Sequence, residues 1–209
     1  MARRTRRDAL ETREQIQDAA EWCFCFYGIS GTSMETIAAK AHCTRGAIYW
    51  HFPTHVDIIK GVLERGRLPM RQRLQTLSEG SSPLMPKLRD CLRYCFAQIR
   101  CNRHVRGVLT ILLLRSDFVG VREPFLDAHF QEAIQVLEPL TLVLERARTN
   151  GEICRELDPG VCAELIRDAL VGAMRQSLLR SKDDVESPDI KAMGLLIALL
   201  TSSTPHSRG

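Results

Sequence analysis

Long hydrophobic runs are missing from this 209-residue chain. The longest, residues 108–114, is far shorter than the roughly 18 apolar residues that a membrane span needs, so it is interpreted as part of a buried helix. The chain begins Met1-Ala2-Arg3-Arg4 and continues with polar residues, without the apolar stretch of a secretory signal. These two absences predict a protein of the cytosol with no membrane partner.

Metal-binding patterns are also missing, although the chain contains eight cysteines. No Cys-x-x-Cys pair occurs, and no set of cysteines and histidines has zinc-finger spacing. Most cysteines fall at apolar positions of predicted helices, where a reduced thiol behaves as a small hydrophobic group. His51 and His55 are four residues apart, but this pair alone does not predict a metal site. We therefore expect neither a metal nor a cofactor.

Sequence motifs of catalysis are absent as well. There is no Gly-x-Ser-x-Gly, no phosphate-binding P-loop and no pair of carboxylates with an evident purpose, so the chain is not expected to be an enzyme. The net charge of +4 implies no partner by itself. Residues 1–60 contain eight basic and seven acidic side chains, so a site for a polyanion must be local, with the acids turned away from it.

Helical periodicity dominates what the sequence does contain. Apolar residues recur at steps of three and four over residues 16–27, and Gly28 is expected to end that helix. Two more short helices are predicted before Pro53. The helix starts are predicted at Thr12 (a capping box with Gln15), Thr32 (with Glu35), Thr44, and Thr54 (with Asp57).

Longer helices are predicted in the rest of the chain, and no alternating strand pattern occurs. The sequence thus predicts an all-α protein with a small N-terminal module and a larger helical body. The predicted longer helices are residues 54–78 with a bend at Pro69, 88–99, 105–114, 122–149 with a kink at Pro139, a helix after Asp158-Pro159 that reaches about residue 180, and one after Ser187-Pro188.

Residues 33–52, SMETIAAKAHCTRGAIYWHF, meet the physical requirements of a helix-turn-helix. Ala38 is small enough for two short helices to cross closely, and apolar residues attach both helices to the rest of the module. Near the start of the second helix, Arg45 is suited to donate two hydrogen bonds to guanine O6 and N7. Gly46 and Ala47 lack bulk, which lets this helix approach the floor of the major groove.

The N-terminal MARRTRRDALETREQIQDAA, the segment GISGTSMETIAAKA and above all TRGAIYWHF resemble the TetR family of bacterial one-component regulators, and in particular its multidrug-efflux repressors. The strong resemblance covers about residues 1–65 and continues more weakly at 112–117 and 144–153. It implies about nine helices, with residues 1–53 forming a DNA-binding domain with a basic arm and residues 54–209 a ligand-binding and dimerisation domain.

The same resemblance implies a repressor of a multidrug-efflux operon that binds a palindromic double-stranded operator. It implies a homodimer paired through the last two helices, and release from the operator by a small apolar or cationic inducer bound within helices four to seven. The basic arm is expected to order on DNA phosphates or in the minor groove. The expected DNA-binding residues are Arg3, Arg4, Arg6, Arg7, Thr32, Ser33, Thr44, Arg45, Gly46, Ala47, Tyr49, Trp50, His51 and His55, the last where relatives carry a lysine.

Candidate inducer contacts are polar or aromatic residues on otherwise apolar helices, and acids that suit a cationic ligand. They are Glu64, Tyr94, Gln98, Asp117, Phe118, Phe130 and Gln176.

The turn of the helix-turn-helix departs from the family pattern, since it reads Ala41-His42-Cys43-Thr44 where Ala-Gly-Val-Ser or Ala-Gly-Val-Thr is usual. The second position commonly needs a positive φ, which costs histidine about 1 kcal/mol more than glycine. Cys43 also supplies an alternative function, a redox-sensing regulator in which oxidation disturbs the turn. A further alternative is a helical lipid- or small-molecule-binding protein or enzyme without DNA binding, and the sequence does not separate a repressor from an activator.

Overall fold

The computed structural model describes residues 6–115, 136–180 and 188–202. Within these ranges the protein is all-helical, as predicted, and contains ten α-helices and no strand. The helices are α1 Arg6–Tyr27, α2 Met34–Lys40, α3 Arg45–His51, α4 His55–Arg65, α5 Met70–Glu79, α6 Leu84–Cys101, α7 Arg103–Leu114, α8 Leu137–Thr149, α9 Pro159–Leu179 and α10 Pro188–Ser202.

The described residues form two compact units. The first unit contains α1–α4 and α7, and within it α1 packs against α2, α4 and α7. The second unit contains α5, α6 and α8–α10, and within it α9 packs against α6, α8 and α10. The boundary expected after residue 53, between a DNA-binding domain and a ligand-binding domain, stays a functional prediction.

Fully buried apolar side chains hold the first unit together. Ile16 and Phe24 come from α1, Ile37 from α2 and Ile48 from α3, and Phe52 follows directly after α3. Burial of one such side chain contributes about 1.5–3 kcal/mol, so the short helices α2 and α3 are held by packing rather than by their own helix propensity.

The start of α1 corrects a prediction. The helix begins at Arg6, so Thr12 lies inside it and the capping box with Gln15 is wrong. The Thr12 hydroxyl donates a hydrogen bond to the Asp8 carbonyl oxygen at 2.8 Å, one turn earlier. A buried threonine bonded to the preceding turn has the same sequence pattern as a cap.

The start of α2 also differs from the prediction by one residue. Ser33 is the N-cap, and its hydroxyl oxygen accepts a hydrogen bond from the Thr36 backbone N–H at 3.1 Å. Thr32 is buried instead, and its hydroxyl donates to the Gly28 carbonyl oxygen at 2.7 Å. Gly28 ends α1 with a φ of 77°, as predicted, and its carbonyl oxygen holds the Thr32 hydroxyl away from the start of α2.

Other helix starts confirm the predictions. Thr44 caps α3 by accepting from the Ala47 N–H at 3.2 Å. Thr54 and Asp57 form a complete capping box at α4, and Asp158 caps α9 with a proline in its first turn. These residues satisfy backbone N–H groups that have no partner within the helix.

The predicted long helix over residues 54–78 is two helices. Residues 66–69 separate α4 from α5, because Pro69 has no N–H and restricts the residue before it. This break divides one predicted helix into two. Pro139 lies in the first turn of α8, where the missing N–H is tolerated, and residues 122–135 of the predicted long helix lie outside the described residues.

In the second unit, Glu152 contributes to the start of α6 from a distant part of the sequence. One oxygen of its carboxylate accepts hydrogen bonds from the backbone N–H groups of Leu84 at 2.6 Å and Met85 at 2.9 Å. A carboxylate at a helix N-terminus satisfies free donors and interacts favourably with the helix dipole. No helix among the described residues has the length and apolar character needed to cross a membrane.

Candidate nucleic-acid interface

The turn between α2 and α3 has the geometry of a helix-turn-helix. His42 adopts a φ of 51°, which confirms the predicted left-handed conformation at this position. The Cys43 N–H then donates to the Ala38 carbonyl oxygen at 3.1 Å and joins the turn back to α2. Ile48 is completely buried on the inner side of α3, so the opposite side of this helix is directed to solvent.

The outer side of α3 is an exposed polar and aromatic surface. Arg45 and Gly46 are exposed in its first turn, and Ala47 is partly exposed. Tyr49 is 42% exposed and Trp50 is 71% exposed, although aromatic side chains of this size usually lie inside a protein. Two consecutive residues of a helix cannot both face inward, so at least one of these aromatic residues must be exposed, and both are.

Arg13 attaches the end of α3 to α1. Its Nη1 donates a hydrogen bond to the His51 carbonyl oxygen at 2.8 Å, and its guanidinium carbon lies 4.1 Å from the centre of the Phe52 ring. This contact fixes the orientation of α3 on α1. Sequence reasoning did not identify Arg13, and the available signal was that it is the single basic residue between Asp8 and Lys40.

Two of the residues expected to bind DNA lie behind the exposed surface. Thr32 is 5% exposed. His55 is half-buried, with its ring edge-to-face against Phe24 at 5.7 Å. Burial lowers the pKa of His55, outweighing a hydrogen bond to the Thr32 backbone that raises it, so the imidazole is neutral near pH 7. The structure therefore places His55 as a support between α1 and α4 rather than as a cation at the surface.

The basic arm is only partly described. Arg3 and Arg4 lie outside the described residues, and Arg6 is the first residue of α1. The exposed Arg7 forms an ion pair with Glu11, one helical turn later, at 2.9 Å.

A polar cluster joins α1, α4 and α7 elsewhere in the first unit. Asp18 contacts Arg65 at 2.5 Å and Arg103 at 2.6 Å. His104 lies between Glu21, whose Oε2 is 2.8 Å from Nδ1, and Arg65, whose Nη2 is 3.0 Å from Nε2. Because arginine only donates, this geometry requires Nε2 to accept and Nδ1 to carry the proton. Burial raises the pKa of Asp18, but its bonds to the two arginines outweigh this and hold the pKa below its usual value.

Four of the seven expected inducer contacts lie within the described residues, and the ligand site stays a prediction. Asp117, Phe118 and Phe130 lie outside them. Glu64 is exposed on α4 and lies 3.7 Å from Arg67, and Gln176 is exposed on α9. On α6, Gln98 is partly buried, and the Tyr94 ring is covered by a guanidinium from α5 with its carbon 3.5 Å from the ring centre. An open cleft of about 770 Å³ between α5 and α6 is lined by Arg73, Lys87 and Asp90 but by none of the predicted contacts.

Burial makes five of the eight thiols poor nucleophiles. It raises the pKa of Cys25 to about 11 and also raises the pKa of four others, Cys23, Cys91, Cys95 and Cys162. Cys43, the residue of the redox alternative, is partly exposed in the turn. Among the described residues, no group of three or more histidine, cysteine or acidic side chains is arranged to hold a metal ion.

Comparison with known proteins agrees with the geometry of the first unit. Residues 16–62 match the family described as "Bacterial regulatory proteins, tetR family". A probable acrEF/envCD operon repressor of Escherichia coli K12 is 48% identical over 183 residues, which cover 86% of this chain and 81% of that protein. The HTH-type transcriptional repressor BepR of Brucella suis is 29% identical over 181 residues and 86% of each chain.

Solved structures show the same similarity. A complex of SmeT with triclosan has a TM-score of 0.71 and 29% identity, and the match covers 92% of this chain and 90% of SmeT. NalD of Pseudomonas aeruginosa, the secondary repressor of the MexAB-OprM multidrug efflux pump, has a TM-score of 0.73 and 26% identity over 96% of this chain and 100% of NalD.

Proposed function

Because the chain belongs to the TetR family of bacterial regulatory proteins, we propose that it is a ligand-responsive repressor of a multidrug-efflux operon. Several relatives carry names of transcriptional repressors, and SmeT and NalD are described as repressors of multidrug efflux pumps. The observation that carries the proposal is the exposed surface of α3, with Arg45 and Trp50 directed to solvent while Ile48 is buried behind them. The proposal places the protein in the cytoplasm and includes no catalytic step.

The proposed mechanism requires two copies of α3. In a symmetric dimer, two recognition helices fit successive major grooves when they lie about 34–36 Å apart. A small apolar or cationic inducer that binds best to a conformation with a different spacing weakens operator binding by linkage. The helix α4 begins only four residues after α3 ends, so a movement of α4 is transmitted directly to the recognition helix.

The proposed dimer surface lies on α9 and α10. Val161, Leu165 and Leu179 are 51–64% exposed on α9, and their spacing of 4 and 14 residues places them on one side of the helix. Leu195 and Leu199 are 56–61% exposed on α10, again four residues apart. Large apolar side chains exposed in this pattern are typical of surfaces that pack against a partner.

The experiment that tests this function is binding of the full chain to the duplex that flanks its own gene. Arg45→Ala is expected to lower the affinity for this duplex by about 1–3 kcal/mol if Arg45 contacts a base. For the wild type, log affinity is expected to fall by about 0.9 per unit of log salt for each phosphate contacted. Fluorescence anisotropy over a salt series measures both, with an unrelated duplex as the control. A flat salt response, or equal affinity for both duplexes, contradicts the proposal.

A substitution at Gly46 tests whether α3 enters the groove. A Cβ at this position would meet only the Thr44 hydroxyl oxygen at 3.9 Å, so Gly46→Ala is expected to leave the fold intact. In the operator complex the added methyl group lies between the helix and the groove floor, and we expect operator affinity to fall about tenfold, near the cost of one mismatched base pair. Anisotropy measures the affinity and circular dichroism the fold. Unchanged operator affinity would place Gly46 outside the interface.

A further inference from the structure

An acidic residue lies on the surface that is proposed to meet the DNA polyanion. Glu35 is the single Asp or Glu between Glu21 and Asp57, a segment that contains the whole helix-turn-helix. Its Oε1 lies 2.9 Å from Nη2 of Arg45, and the two side chains are 52% and 65% exposed. The sequence assigned Glu35 only to a capping box with Thr32, which the structure does not contain.

The position of Glu35 is fixed by the start of α2. Ser33 caps this helix and also lies within 3.0 Å of the Thr36 hydroxyl, which places Glu35 between two residues held by hydrogen bonds. A hydrogen bond to its own backbone lowers the pKa of Glu35, and the charge of Arg45 lowers it further, so the carboxylate is ionised. The residue is therefore a fixed negative charge beside Arg45.

Arg45 is held from a second side by its own helix. Its guanidinium carbon lies 6.0 Å from the centre of the Tyr49 ring, one turn further along α3. A long arginine side chain otherwise samples many rotamers, and loses this freedom when it binds. Contacts with a carboxylate on one side and an aromatic ring on the other restrict the orientation of the guanidinium in the free protein.

The ion pair has little value for stability, because exposed pairs contribute about 0–1 kcal/mol. A bare carboxylate at this place repels phosphates, so its effect must be sought in DNA recognition. Two parallel hydrogen bonds to a guanine edge require a defined orientation of the planar guanidinium, whereas a phosphate accepts many orientations. An arginine whose guanidinium is held in one orientation therefore binds a base edge in preference to the phosphate backbone of the DNA.

We propose that Glu35 is a positioning residue that sets the base-pair specificity of Arg45. Glu35 holds the Arg45 guanidinium in the orientation that forms hydrogen bonds with a guanine, and its negative charge disfavours binding of the guanidinium to phosphates. This inference rests on the proposed function and adds a specificity determinant from α2 to the recognition surface of α3.

The test measures the affinities of the full chain for all single base-pair variants of an operator half-site and for an unrelated duplex. Glu35→Gln is expected to reduce the preference at one base pair by about threefold to fivefold, the upper part of the range for an exposed pair, and to strengthen binding to the unrelated duplex. The matched control is Glu14→Gln, which removes an exposed charge from α1. It is expected to strengthen non-specific binding and to leave every base preference unchanged.

A double-substitution cycle identifies the route of the effect. In an Arg45→Ala background, Glu35→Gln is expected to change no base preference, because the residue that it positions is gone. If Glu35→Gln changes a base preference by the same factor in the Arg45→Ala background, Glu35 contacts a base itself, as a carboxylate can at cytosine N4. That result overturns the proposal. Unchanged preferences in the single Glu35→Gln variant, with specific wild-type binding, overturn this inference alone. A wild-type chain that prefers no duplex overturns the proposed function as well.

Discussion

Replacement of Gly66 by alanine is expected to destabilise the protein by about 3 kcal/mol, at the upper end of the usual cost of overpacking. Gly66 follows the last residue of α4 and lies against α7. An added Cβ would contact the His104 carbonyl oxygen and the Val108 Cγ2 atom well inside van der Waals distance. The carbonyl belongs to the backbone of α7, so it cannot rotate away as a flexible side chain can. The end of α4 must therefore move away from α7.

Thermal and urea unfolding of the full chain measure this effect, with Gly46→Ala as the matched control. Gly46 is also a glycine of the first unit, but a Cβ there meets only one atom, at 3.9 Å. Alanine inside a helix is more favourable than glycine by about 1 kcal/mol, so this control is expected to be neutral or stabilising. Equal destabilisation by both substitutions would show that the packing of Gly66 against α7 is not the cause.

Local signals in the sequence were sufficient for the recognition helix. Thr44 as the cap of α3, the positive φ of His42 and the capping box of Thr54 and Asp57 all follow from short-range rules. The exposure of Trp50 could be argued from spacing, because two consecutive residues of a helix cannot both face inward. These features depend on residues within one turn of each other.

The errors arose where a local pattern had two interpretations. Thr12 has the sequence pattern of a cap, yet α1 continues through it because the preceding residues are helical as well. Thr32 and Ser33 are neighbouring hydroxyl residues, but Thr32 is hydrogen-bonded to the Gly28 carbonyl oxygen and Ser33 caps the helix. Pro69 is compatible with a bend or with a break in the helix, and the structure shows a break between two helices.

Long-range contacts of the first unit had little signal in the sequence. The Glu21–His104 contact joins residues 83 positions apart, and Arg13 reaches the His51 carbonyl from 38 positions away. Glu21 and His104 have the sequence pattern of ordinary surface residues, and Arg13 is marked only as the single basic residue between Asp8 and Lys40. The inducer contacts stay a prediction for a related reason, since the polarity of one helix position does not reveal which other helix it faces.

The second large effect is expected at the proposed dimer surface, where Leu195→Glu should produce a monomer. Leu195 is 61% exposed in the single chain, and a symmetric interface buries it twice. Full burial of a leucine contributes about 1.5–3 kcal/mol, and about three fifths of this remains to be gained at Leu195. Loss of both copies therefore weakens the dimer by about 2–4 kcal/mol, before the cost of burying two carboxylates is added. Analytical ultracentrifugation over a concentration series measures the dissociation constant of the dimer.

The same variant separates loss of the dimer from loss of the fold. A monomer retains α3 on an intact first unit, so its affinity for an isolated half-site is expected to equal that of the wild type. Its affinity for the full palindrome is expected to fall at least 100-fold, because the second half-site is no longer bound within the same complex.

Leu142→Glu on α8, where the leucine is 39% exposed, is the control and should remain dimeric. A Leu195→Glu protein that stays dimeric would exclude this face of α10 from the interface. A monomer that binds the full palindrome as tightly as the wild type would show that operator recognition does not depend on two coupled copies of α3.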